Sequence, residues 1–127
     1  MNALALAYVA IGGAVGSMAR YAMQWMFVRH FPTDFPFGTL AVNVLGSFLI
    51  GVWIAIMTIM MPVKELHLLF AIGALGGFTT FSAFSLDVFF LFERGLAGQA
   101  ALYIVGSVLL SLLALMGGIF AVRFLVV

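Results

Sequence analysis

Phe78, Phe81 and Phe84 recur every third residue, and Thr79, Ser82 and Ser85 do the same one position later. On a helix this spacing lays a stripe of aromatic rings beside a stripe of hydroxyls. One stripe offers aromatic rings, and the other offers hydroxyls, which are hydrogen-bond donors without a formal charge. Gly73, Gly76 and Gly77 lie just upstream, in the run GALGGFTTFSAFS of residues 73–85. Paired glycines followed by paired threonines are poor helix material, because each glycine costs about 1 kcal/mol relative to alanine. The run therefore predicts a break, with helix resuming near Thr79. A Gly/Ser/Thr surface that only lets helices pack closely accounts equally well for the spacing.

The elements that hold this stretch must be membrane spans. Of 127 residues, 66% are hydrophobic and 7% charged, more apolar surface than a small folded chain can hide from water. Lipid is the expected surrounding. A net charge of +1 without a basic cluster argues against nucleic acid as a partner. The absence of cysteine removes disulfides, thiol chemistry and Cys-ligated metals. No Lys or Arg precedes Arg20, so the first apolar run lacks a signal peptide's basic start and is expected to remain in the mature protein.

Four apolar runs reach the roughly 20 residues that a crossing needs: residues 4–28, 37–61, 66–92 and 96–122. Between them lie a loop with Arg29, His30, Pro32, Asp34 and Pro36, a turn with Pro62, Lys64 and Glu65, and the sequence Glu93-Arg94-Gly95. His30 and His67, near the ends of runs, read as interfacial. The expected fold is a single all-α membrane domain of four transmembrane helices, the third broken mid-membrane. With four crossings, Lys64 and Arg123 fall on one side and Arg29 and Arg94 on the other. Orientation follows the Lys/Arg bias of the loops, and here the two sides balance. Such a chain is suited to inserting both ways and pairing as an antiparallel, dual-topology homodimer. Orientation by other signals is the competing reading.

The polar residues inside the runs are few. Arg20 is the basic residue set well inside a run, where a charge costs about 2.5–3.5 kcal/mol and must face protein or water. It continues the four-residue spacing of Gly12 and Gly16, which would let another backbone approach, so we read it as structural, donating to carbonyls at that buried joint; an anion-attracting charge is the alternative. Asn43, Ser47 and Gly51 share a face of the second run, and Ser107 and Ser111 share one in the fourth. The two N–H donors of Asn43 can replace hydration water around an anion weakly enough to release it; an ordinary interhelical hydrogen bond is the plainer use. Asp87, close to Glu93 and Arg94, reads as an interfacial carboxylate, with a proton or cation site as the alternative.

Four stretches in order, GGAVGSMAR (residues 12–20), GTLAVNVLG (38–46), GGFTTFSAFS (76–85) and the serine-bearing fourth run, together resemble the Fluc (CrcB-type) fluoride channels over essentially the whole chain. The resemblance implies a dual-topology homodimer in the bacterial plasma or inner membrane, with two antiparallel pathways for passive export of cytoplasmic fluoride and hence fluoride resistance. It implies that Phe81 and Phe84 line the path with their ring edges, that Asn43 is the pore asparagine, and that Ser82, Ser85 and Ser111 supply hydroxyls. It also implies a structural sodium ion on the dimer axis, held by the backbone carbonyls of Gly76 and Thr79, and a structural role for Arg20. Family members commonly read FSTFS where this chain has Phe81-Ser82-Ala83-Phe84-Ser85, so Ala83 lacks one hydroxyl of that track.

The competing function is a proton-coupled small multidrug-type transporter, which needs a membrane-buried carboxylate in its first helix; neither the first nor the second run contains Asp or Glu. A non-transporting assembly partner would explain the glycines but not the paired stripes. Enzyme function is not expected, since no nucleophile–base pair or metal-ligand cluster is visible.

Overall fold

The computed structural model describes residues 2–31, 34–60 and 63–126. Met61 and Pro62, placed at the end of the second run and in the turn after it, lie outside the described residues, as does Pro32 of the first loop. Helix α1 (Ala3–His30) starts at Asn2, whose side chain accepts the Ala5 N–H at 2.8 Å. Helix α2 (Phe37–Ile59) follows. Helix α3, residues 64–78, opens with a turn at Lys64–His67, loosens to π-helix over Leu68–Leu75 and tightens at Gly76–Phe78. After an interruption come α4 (Phe81–Glu93) and α5 (Ala97–Val126). Four helical segments are long and apolar enough to cross a membrane, α3 and α4 counting together as Lys64–Glu93. They extend past the apolar runs because Lys64, Glu93 and Arg123 sit at helix ends, where their charges reach water without breaking backbone hydrogen bonds.

Two seams hold the bundle. Along one, α1 lies against α3 through glycine: a Cβ on Gly12 would collide with the Leu69 carbonyl, and one on Gly16 with the Ala74 carbonyl. Along the other, α2 lies against α5, where a Cβ on Gly51 would meet the Leu115 carbonyl and one on Gly118 the Phe48 carbonyl. Without a hydrophobic force between helices in lipid, such close backbone approach is what van der Waals packing and small residues supply. Helix α4 joins the bundle through a small buried cluster: Leu91, Ala100 and Tyr103, with Phe35, Leu40, Phe84, Val88 and Leu96 around them.

The turn from α4 to α5 is fixed by Gly95, whose φ of 72° is open to glycine at low cost. Its N–H donates to the Phe92 carbonyl and the Leu96 N–H to the Leu91 carbonyl, both at 2.9 Å, the paired bonds of a Schellman stop. Arg94, one residue earlier, bonds Asp34 of the first loop at 2.7 Å.

The break falls later than the glycines indicate. Gly76–Phe78 is helical, and Thr79 (ψ 154°) and Thr80 (φ −153°, ψ 115°) are extended. Gly77 is required by contact rather than by unwinding, since a Cβ there would stand 2.7 Å from the Gly13 carbonyl oxygen. The β-branched threonines take the extended geometry that suits them, and helix resumes at Phe81 rather than Thr79.

Candidate functional site

Two side chains replace the backbone partners lost at the break. Asn43 of α2 clasps Thr80 on both sides: its Oδ1 accepts the Thr80 N–H at 2.8 Å and its Nδ2 donates to the Thr80 carbonyl at 3.0 Å. Thr80 in turn caps α4, its Oγ1 accepting the Ala83 N–H at 3.1 Å and lying 3.2 Å from the Ser82 hydroxyl. In a continuous helix the Thr80 and Ala83 amides would donate to the carbonyls four residues back, those of Gly76 and Thr79. Here both amides are turned to side chains, and these two carbonyls lose their helical donors. An apolar surrounding tolerates such an opened backbone only where protein or a wet cavity meets it.

A groove of about 370 Å³ borders the break. Asn43, Gly46 and Ser47 of α2 form one wall, Gly76 to Phe84 another through Thr79, Thr80 and Phe81, and Ser107 and Ser111 of α5 a third. Gly46 is small because a Cβ there would collide with the Thr79 methyl group. The rings of Phe81 and Phe84 are 5.4 Å apart and tilted by 40°. Phe84 rests on Tyr103 at 5.2 Å, whereas Phe81 is 78% exposed. One N–H of Asn43 is used on Thr80 and the second has no partner among the described residues. The Ser107 hydroxyl is buried and has no hydrogen-bond partner within bonding geometry among the described residues. The wall therefore offers neutral donors and aromatic rings, and none of the residues that line it is charged.

Of the residues singled out from sequence, the groove brings together Asn43, Phe81, Phe84, Ser111, Gly76 and Thr79. Ser82 and Ser85 are exposed on the outer side of α4, and the Ser85 hydroxyl donates to the Phe81 carbonyl of its own helix at 2.9 Å. Ala83 does not line the groove either. Arg20 lies a turn beyond Gly16, half-buried. In the sequence Thr80 reads only as half of a pair that disfavours helix, although a Thr three residues before an amide needing a cap is an N-cap signal. Tyr103 was missed as well. It is fully buried, and its hydroxyl donates to Asp87 at 3.1 Å; its position four residues before Ser107 continues the polar stripe of the fourth run and was the available clue. Asp87 thus has an interhelical partner.

The family described as "CrcB-like protein, Camphor Resistance (CrcB)" matches residues 7–119. A protein of Rhizobium etli named "Fluoride-specific ion channel FluC" is 50% identical over 119 residues, covering 93% of this chain and 95% of its own. Proteins of the same name from Cereibacter sphaeroides and Nitrobacter winogradskyi are 50% and 47% identical; they cover 93% and 91% of this chain, and 94% and 92% of their own.

Proposed function

The chain belongs to the CrcB-like family, and from that membership we propose a fluoride-selective channel, a multi-pass membrane protein that lets fluoride leave the cytoplasm passively and so confers resistance to it. The observation that carries the reading is the uncharged groove at the helix break. Fluoride is small and strongly hydrated, so a path for it must return donors for lost water yet bind weakly enough to release. The spare N–H of Asn43, the hydroxyls of Ser107 and Ser111 and the edges of Phe81 and Phe84 meet both demands. A proton-coupled exchanger finds little support: α1 and α2 carry no Asp or Glu within their spans, and Asp87 is engaged by Tyr103. As a channel the protein is not an enzyme.

In this reading the break lies mid-membrane and two chains of opposite orientation form the working unit. The balanced Lys/Arg count supports it, as does the outward face of α4: Phe81, Leu86, Phe89 and Phe90 are all exposed in the single chain. Ser82 and Ser85 enter the pathway only through that partner. Arg20, half-buried a turn beyond Gly16, would play a structural part at the same joint. The residues fit a structural sodium ion. Gly76 and Thr79 have carbonyls deprived of helical donors, and uncharged oxygens of this kind suit a hard monovalent cation. Bound there, sodium would offset the partial charge of these two carbonyls.

Initial fluoride efflux from proteoliposomes, followed with a fluoride electrode, tests the function. We expect rapid release from vesicles that carry the protein and none above leak from protein-free vesicles; equal traces would reject it.

A further inference from the structure

Trp53 of α2 straddles the junction at which α3 passes from its opening turn into π-helix. Its indole N–H donates to His67 Nδ1, on the last residue of the turn, at 3.3 Å. Its ring packs on Phe70 of the π segment at 5.0 Å and a tilt of 38°. Both members of the hydrogen-bonded pair are half-buried. The groove begins about one turn further along each helix: Ile50 before Trp53 and Ala71 after His67 line it, as does Leu75 at the end of the π segment. Whatever fixes Trp53 against His67 therefore helps to fix the spacing of two groove walls. π-Helix is uncommon and occurs mostly as single turns, so a longer stretch depends on contacts with neighbouring helices, of which Trp53 supplies one.

The bond is chemically one-sided. An indole N–H can only donate, so Nδ1 must present a lone pair and the ring must be neutral with its proton on Nε2. A protonated imidazole carries N–H on both nitrogens. It would point one donor at another and leave the indole N–H unpaired. The bond is thus present while the ring is neutral, and it is lost as pH falls through the range in which imidazole takes up its proton, about pH 8 to 5. Lys64 and Glu65 of the same turn are exposed, so protons reach this end of α3. Other ionisable groups on the surrounding helices are few. Helix α2 carries none, α1 has Tyr8 before Arg20, and Arg123 of α5 lies beside Ile59.

We propose that the Trp53–His67 bond is a proton-operated latch on the groove. With the imidazole neutral the latch is closed; protonation frees the start of α3 from α2 and loosens the π-helical wall. The latch is independent of which ion the groove carries.

Hydrogen–deuterium exchange of residues 68–75, read by mass spectrometry on the full chain in detergent, reports on that wall directly. His67→Gln is the reference, because a glutamine oxygen can accept the indole N–H and does not titrate. Comparison at equal pD cancels the intrinsic change in exchange rate. Wild type should match the reference at about pD 8 and exchange about three- to tenfold faster at about pD 5.5, the ratio that one neutral hydrogen bond sets. Trp53→Phe keeps a ring over Phe70 but has no donor, and it should exchange faster than the reference by the same factor at both pD values. Wild type equal to the reference in acid would overturn the proposal. So would a Trp53→Phe protein that keeps the acid-induced rise, since the sensor would then be another group, such as Glu65. If Trp53→Phe yields no folded protein, wild type against His67→Gln decides alone.

Discussion

Before the break, Gly73 and Gly77 of α3 lie backbone to backbone against Gly12 and Gly13 of α1; after it, Phe81, Ser82 and Ser85 of α4 turn outward and are exposed. The two stretches are neighbours in sequence and draw on the same small and polar residues. In the first, a Cβ added at Gly73 would stand 2.9 Å from the Gly12 Cα, so residue size is dictated by another helix. In the second, no such contact limits the side chains, and Phe81 can be large and 78% exposed. Close packing and an ion-solvating surface are therefore not rival explanations of residues 73–85. Contact dictates the residues before Thr79-Thr80, and it leaves those after it free for the ion-solvating use proposed above.

The seam is where substitution should do most damage. A Cβ on Gly16 collides with the Ala74 carbonyl and approaches the Phe78 amide at 2.9 Å. Both obstacles are backbone, which cannot rotate aside as a side chain can. Gly16→Leu should cost about 3 kcal/mol or more, visible as loss of monodisperse protein on size exclusion in detergent. Recovery of normally folded Gly16→Leu protein would show that the seam is looser than described and would undo the contrast between the two stretches.

The clasp at the boundary comes next. Asn43→Ala leaves the Thr80 N–H and carbonyl without partners, each costing about 1–3 kcal/mol where water is excluded. Denaturation should show a loss of about 2–4 kcal/mol, smaller than for the seam because the groove can admit some water to the freed groups. Fluoride efflux should fall toward leak even in the folded fraction, since the groove loses its amide donor. Unchanged stability would mean that the break is held by something other than Asn43.

How much of this was readable in advance follows from the range of each interaction. The four crossings are a matter of length and apolar count, local properties that any window of sequence displays. The seam glycines show at four-residue spacing on one helix, and Gly12 and Gly16 were rightly read as a site of backbone approach. The break was placed too early because glycine in this helix answers to contact across to α1, which local propensity cannot register. Asn43 was picked out for its type, but its partner Thr80 lies 37 residues away. Tyr103 and Asp87 are 16 residues apart, and Asp34 and Arg94 are 60. Such pairs exist only once helices are arranged, and no periodicity announces them.

The smallest effect should come from Ser85, and it bears on where the open face begins to matter. Its hydroxyl proton is already given to the Phe81 carbonyl within α4, a back-bond common for serine in helices. An ion that wanted this donor would first have to break that bond, and the exposed position gives Ser85 no compensating contact in the chain. Ser85→Ala should therefore change stability by less than about 0.5 kcal/mol. Fluoride efflux should remain within about twofold of wild type, because the hydroxyl is committed to its own helix and does not line the groove. A tenfold drop in efflux with unchanged stability would mean that the hydroxyl swings away from Phe81 to serve the ion. The conducting wall would then extend around α4 onto the face that a second chain must cover, and the division at Thr79-Thr80 would separate packing from permeation more sharply than the single chain reveals.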